Sequence, residues 1–88
     1  MIATLNGKVQ EVNTDSLVIE VGGIGIQVFV PAGMLSGSHP GEHLFLHTYM
    51  VVRQDAWLLF GFDTREGREF FELLLTVNGV GPRLALAA

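Results

Sequence analysis

The residues with the clearest capacity for chemistry lie near the C-terminal end, in Leu74-Leu75-Thr76-Val77-Asn78-Gly79-Val80-Gly81-Pro82-Arg83-Leu84-Ala85. An apolar helical run, then apolar-x-Gly-apolar-Gly, then a proline opening a second run with the small Ala85 after it, is the pattern of a helix-hairpin-helix. Its glycines leave the backbone bare enough for a phosphate to approach. The N–H groups at the start of the second helix, aided by the helix dipole, bind phosphate oxygens without reading bases. Arg83 in that first turn adds a cation. The same residues also fit a plain αα-hairpin with glycine at the cap, and on spacing alone the two readings stand level. No Gly-Lys-Ser/Thr follows the glycines, so the segment is not a phosphate-binding P-loop.

Other candidates are weaker. Arg53-Gln54-Asp55 is a short connection between two apolar runs and, by residue type alone, a solvated turn. His39, His43 and His47 recur every fourth residue, a spacing that on a helix would gather metal ligands, but Pro40-Gly41 breaks that helix. On a strand His43 and His47 share a face without a local carboxylate, so a metal site is not expected. Gly22-Gly23-Ile24-Gly25 lacks the third glycine of a dinucleotide fingerprint and reads as a turn. Trp57, Tyr49 and the six Phe could stack nucleobases, but the surrounding cations are few and core packing accounts better for most of them. No nucleophile is paired with a base, and carboxylate neighbours such as Glu69 and Glu72 fall on a helix face. Intrinsic catalysis, and a cofactor to support it, are not expected.

The elements that must position these residues are short strands followed by helices. Ile2, Leu5, Val9 and Val12 with Gly7 between them read as one long bent strand in which the glycine carries a bulge. Asn13 to Ser16 supplies a turn, Leu17 to Val21 a second strand, and Ile26 to Val30 a third, ended by Pro31. Ala32 to Glu42, with Gly33, Gly37, Pro40 and Gly41, reads as a surface loop. His43 to Val52 and Ala56 to Phe62 are two more strands. Five such strands in so short a stretch fit a small closed barrel, which leaves no bare edges. After Phe62 the period becomes helical, with Asp63 and Glu66 as a capping-box-like start and Phe70, Phe71, Leu74, Leu75 and Val77 on one stripe. Asn78-Gly79 ends that helix, and Pro82 opens another that reaches only Ala88. Seven residues are well short of the roughly 12–15 that an isolated helix needs, so a second domain is expected to continue past Ala88.

Composition bounds the rest. At 88 residues the chain builds one core, and with no cysteine it forms neither disulfides nor thiolate metal sites. No apolar run is long enough to span a membrane and no signal peptide is visible, so a soluble cytoplasmic protein is expected. Five Lys and Arg against nine Asp and Glu give a net charge of −4, the opposite of a self-sufficient nucleic-acid binder. A mean hydropathy of +0.43 instead suggests apolar surface kept for a partner.

Taken in order, Met1-Ile2 with Leu5 and Gly7, Ile19 to Gly25, Val51 to Ala56 with Leu58 to Phe62, Phe71, and Asn78 to Ala87 resemble the RuvA family of bacterial Holliday-junction branch-migration proteins, across residues 1–88. The resemblance implies a mainly β fold. Residues 1–62 would form an OB-type barrel, and residues 63–88 a linking helix and a truncated first helix-hairpin-helix of a second domain. It further implies a non-catalytic subunit that forms a homotetramer and holds four-way junction DNA open during recombination and repair. The junction would pass to the ATP-driven RuvB motor, docked through a region absent from this chain, with the RuvC resolvase as a further candidate partner. Carried over by position, Gly79, Val80 and Gly81 would supply backbone contacts to phosphates and Arg83 the positive side chain. The family's acidic pin, two adjacent carboxylates facing the junction centre, falls on Gln54-Asp55. This chain keeps only Asp55, and a weaker pin is expected. Much of the family's DNA-facing positive charge would lie in the second helix-hairpin-helix, which fits the acidic balance here. With one incomplete clamp, the 88 residues alone are expected to bind junctions poorly. Two other readings remain: a barrel that serves only protein assembly, and a single-strand binder working through an aromatic barrel face.

Overall fold

The computed structural model describes residues 1–87; the expected end of the last helix at Ala88 lies outside the described residues. The element order is β1 (Thr4–Val12), β2 (Ser16–Val21), β3 (Ile24–Phe29), α1 (Ala32–Ser36), β4 (His43–Val52), β5 (Trp57–Phe62), α2 (Arg65–Leu75) and α3 (Pro82–Ala87). The strands close in the order β1-β2-β3-β5-β4, the five-stranded OB barrel, with every pairing antiparallel except a single parallel bridge, Phe29 to Phe60. None of the described helices is long and apolar enough to cross a membrane.

Alternation along the strands builds the core. In β1, Leu5, Gly7 and Val9 are buried while Thr4, Asn6 and Lys8 face outward. Leu17, Ile19, Val28, Leu46 and Leu59 from the other strands complete one aliphatic cluster, each burial contributing about 1.5–3 kcal/mol. Gly7 is needed for close approach: a Cβ there would strike the Glu20 carbonyl oxygen and the Ile19 side chain. Next to it, Lys8 is where the ladders overlap, paired both with His43 of β4 and with Glu20 of β2. The bulge expected at the glycine lies instead between Val9 and Glu11, where two successive residues oppose one step of β2. Gly22 and Gly23 both take positive φ, at 58° and 87°, as a two-residue hairpin turn between Val21 and Ile24 requires.

Two other expectations are corrected. The segment after Pro31 is not all loop, because α1 occupies Ala32–Ser36, with the Met34 and Leu35 amides bonded back to the Pro31 carbonyl. Its Met34 and Leu35 lean on the barrel core, which is what stabilises so short a helix. The cap of α2 is Thr64 rather than Asp63: its Oγ1 accepts from the Gly67 amide at 3.0 Å. That helix docks through Phe71, which is 1% exposed and sits 5.0 Å from the Phe60 ring, 5.1 Å from Phe62 and 5.9 Å from Tyr49. Ala85 of α3 is buried in the same aromatic cluster.

Candidate nucleic-acid interface

The sequence-derived site residues fall on two separate elements. The first is the turn between α2 and α3. Leu75 ends α2, and the amides of Thr76, Val77 and Val80 bond to the carbonyls of Leu73, Leu74 and Val77, winding the chain back on itself. Gly79 completes the reversal at φ 83°, a conformation that costs a side-chain-bearing residue but not glycine. Gly81 precedes Pro82 in ordinary conformation. A Cβ placed on either glycine would meet nothing within 4 Å, so the turn presents bare backbone to open space.

The three turn residues are not equivalent. The Val80 N–H donates to the Val77 carbonyl at 3.1 Å and is not free for an outside acceptor. Those of Gly79 and Gly81 have no acceptor among the described residues, so these two of the three are free to meet a phosphate oxygen.

Arg83 has a partner inside the chain. Its Nη1 donates to Asp15 Oδ2 at 3.1 Å, and its guanidinium carbon lies 4.6 Å from the centre of the Phe29 ring. The Ser16 side chain and the Arg83 guanidinium together hold the Asp15 carboxyl below the usual carboxylate range. Arg83 thus ties α3 to the β1–β2 turn and stacks on the barrel at the same time. Both groups stay accessible, with 65% of the Arg83 side chain and 43% of the Asp15 side chain exposed, so the remaining guanidinium N–H groups face solvent. Sequence reasoning missed Asp15. It stands 68 residues from Arg83, and no local pattern pairs them.

The second element is the β4–β5 tip. The Arg53 amide donates to the Ala56 carbonyl at 2.8 Å, which fixes Gln54 and Asp55 as the two exposed residues at the end of the hairpin. The tip precedes the start of β5, whereas α2 leaves from the other end of that strand. Tip and turn thus belong to different elements, the β4–β5 hairpin and the α2–α3 connection.

The histidines do not gather. His39 lies in the loop, where its amide bonds to Glu42 Oε1, and His43 and His47 lie on the outer face of β4, His47 edge-on to Phe45. Among the aromatic residues, Phe29, Phe60, Phe62 and Phe71 are core, whereas Phe45, Trp57 and Phe70 are exposed.

A family model described as the RuvA N-terminal domain matches residues 1–61. The Holliday junction branch migration complex subunit RuvA of Micrococcus luteus is 51% identical over 87 residues, covering 99% of this chain and 41% of that protein. The proteins of the same name from Deinococcus radiodurans and Chloroflexus aggregans are 49% and 44% identical, again over 99% of this chain and 43% and 45% of their own lengths. The chain thus spans less than half the length of these curated relatives. With the closed five-stranded OB barrel that was expected, and with that likeness running along almost every residue, the chain belongs to the RuvA family.

Proposed function

We propose that this chain is the junction-facing part of a non-catalytic subunit that binds four-way junction DNA by shape and phosphate contact. The likeness over 99% of its length to proteins named as Holliday junction branch migration complex subunits carries the reading. The geometry supports it in two places. The Gly79 and Gly81 amides stand open to a phosphate, with the solvent-facing side of Arg83 beside them as the cation. Gln54 and Asp55 project from the end of the β4–β5 hairpin, on a different element from that clamp, which suits a pin entering the junction centre while the clamp holds an arm. A carboxylate there repels phosphates and keeps strands apart, and one per subunit repels less than a pair. Gln54→Glu should therefore change the rate of junction opening.

The wider assembly belongs to the same proposal: a homotetramer around the junction, with an ATP-driven RuvB motor supplying the work and the RuvC resolvase as a further candidate partner. Phe70, Leu73 and Val77 lie exposed at helical spacing on and just past α2, with Leu84 exposed on α3, which suits a protein contact. A gel-shift comparison of a synthetic four-way junction with linear duplex of the same arm sequence, at fixed salt, tests the function in a protein that carries this chain at the full length of its curated relatives. A marked preference for the junction is expected. Equal or absent binding would leave the assembly-module reading in first place.

A further inference from the structure

The barrel closes least well between β3 and β5, which share only the Phe29–Phe60 bridge. The two strands run parallel, and toward their starts, at Ile26 and Trp57, no cross-strand pair joins them. A cavity of about 350 Å³ opens in this seam, lined in part by Ile26, Gln27, Met50, Trp57 and Leu59. Trp57 is 75% exposed, and Val52, paired opposite it, is 60% exposed. Leu59, two residues along β5 and so on the same face as Trp57, is buried in the core. The Trp57 ring therefore continues the inward face of the barrel out past its mouth. It stands in water two residues from Asp55.

We infer that Trp57 and the β3–β5 seam form a stacking site for a single unpaired nucleobase of a DNA strand passing the hairpin tip. The inference rests on the proposal that the tip meets opened DNA, and three observations choose this occupant. A wide flat ring left in solvent gives any base a stacking face without selecting its identity. The edges of β3 and β5 along the seam hold backbone groups without cross-strand partners, which suit the donors and acceptors on the rim of a heteroaromatic base. The Asp55 carboxylate, at the tip two residues before Trp57, repels the phosphate backbone, so a strand is admitted base-first.

The chain has one tryptophan, so its intrinsic fluorescence reports on Trp57 alone. At low salt, the 88-residue chain is titrated with single-stranded oligothymidylate and with an abasic sugar-phosphate oligomer of equal length. Anisotropy of a labelled four-way junction is followed in parallel. Quenching by the thymidylate but not by the abasic oligomer is expected. Trp57→Ala should weaken the thymidylate complex by about tenfold, and Trp57→Phe, which keeps a smaller ring, by less. Equal response to both oligomers, or unchanged affinity in Trp57→Ala, overturns the site. So does a Trp57→Ala variant that changes oligomeric state in sedimentation while binding DNA normally, because the face is then a subunit contact. Junction binding with silent Trp57 fluorescence removes the stacking site and keeps the proposed function. Stacking by this chain, with no junction preference in a protein that carries it at the full length of its curated relatives, supports the site and removes that function.

Discussion

In the barrel, eight buried aliphatic side chains drawn from all five strands and from Val30 meet in one cluster, and backbone pairing runs round the ring. The helices, by contrast, reach the barrel through an aromatic cluster in which Phe71 is the one buried residue of α2 and Ala85 the one buried residue of α3. One region is redundant, with many residues sharing the packing, and the other hangs on a few. The difference follows from size: six- and eleven-residue helices are too short to persist without a docked face. It also bears on the proposed function, since the proposed phosphate contact lies in the weakly anchored region and the proposed pin in the strongly anchored one.

The largest test of this contrast is Phe71→Ala. We expect a loss of about 3–5 kcal/mol, falling on the helices, with hydrogen exchange rising in α2 and α3 while the barrel amides stay protected. Leu17→Ala should cost about 2–5 kcal/mol and lower protection throughout the barrel, because Leu17 is fully buried in the shared aliphatic cluster. If both variants unfold the chain in one step by denaturant melt, the two regions are a single cooperative unit. Next in size is Gly61→Ala. The added Cβ would lie 2.7 Å from Val28 Cγ1 and 3.2 Å from Leu46, and we expect a loss of about 1–3 kcal/mol by chemical denaturation. Thr64→Ala removes the cap of α2 and should cost about 1 kcal/mol, with Thr64→Ser restoring it.

The smallest effect sharpens how α3 is anchored to the barrel. Asp15 binds its proton less tightly folded than unfolded, because the Ser16 side chain and Arg83 favour its charged form. Its contribution is therefore present above the ordinary carboxylate range near pH ~3.9 and fades as the pH falls through its lowered folded value. In wild type, helix docking followed by NMR should weaken across that acid window. In Asp15→Asn the corresponding change should be missing.

Much of this fold was legible in the sequence, and the gaps have physical causes. Strand alternation and the Gly22-Gly23 turn were readable because period and φ preference are local properties. Helix α1 was hidden by Gly33 and Gly37, which lower helix propensity, and forms because Met34 and Leu35 find the barrel. Gly7 was read as a bulge, since sequence shows that a glycine is needed but not whether for conformation or for room. Asp63 and Thr64 are both good caps, and only the geometry of entry from β5 chooses between them. At the candidate site, the turn and the tip were visible as motifs. The Asp15–Arg83 pair, the engaged Val80 amide and the exposed Trp57 depend on which surfaces the closed barrel leaves bare.

One measurement bears most directly on the proposal that turn and tip are separate DNA contacts. Amide chemical shifts of the 88-residue chain would be followed while four-way junction or linear duplex of the same arm sequence is added at fixed salt. We expect Gly79 and Gly81 to shift with both DNAs, since phosphates are common to them, and Gln54, Asp55 and Trp57 to shift with the junction alone. Shifts at the tip with duplex, or none at Gly79 and Gly81 with either DNA, would contradict it.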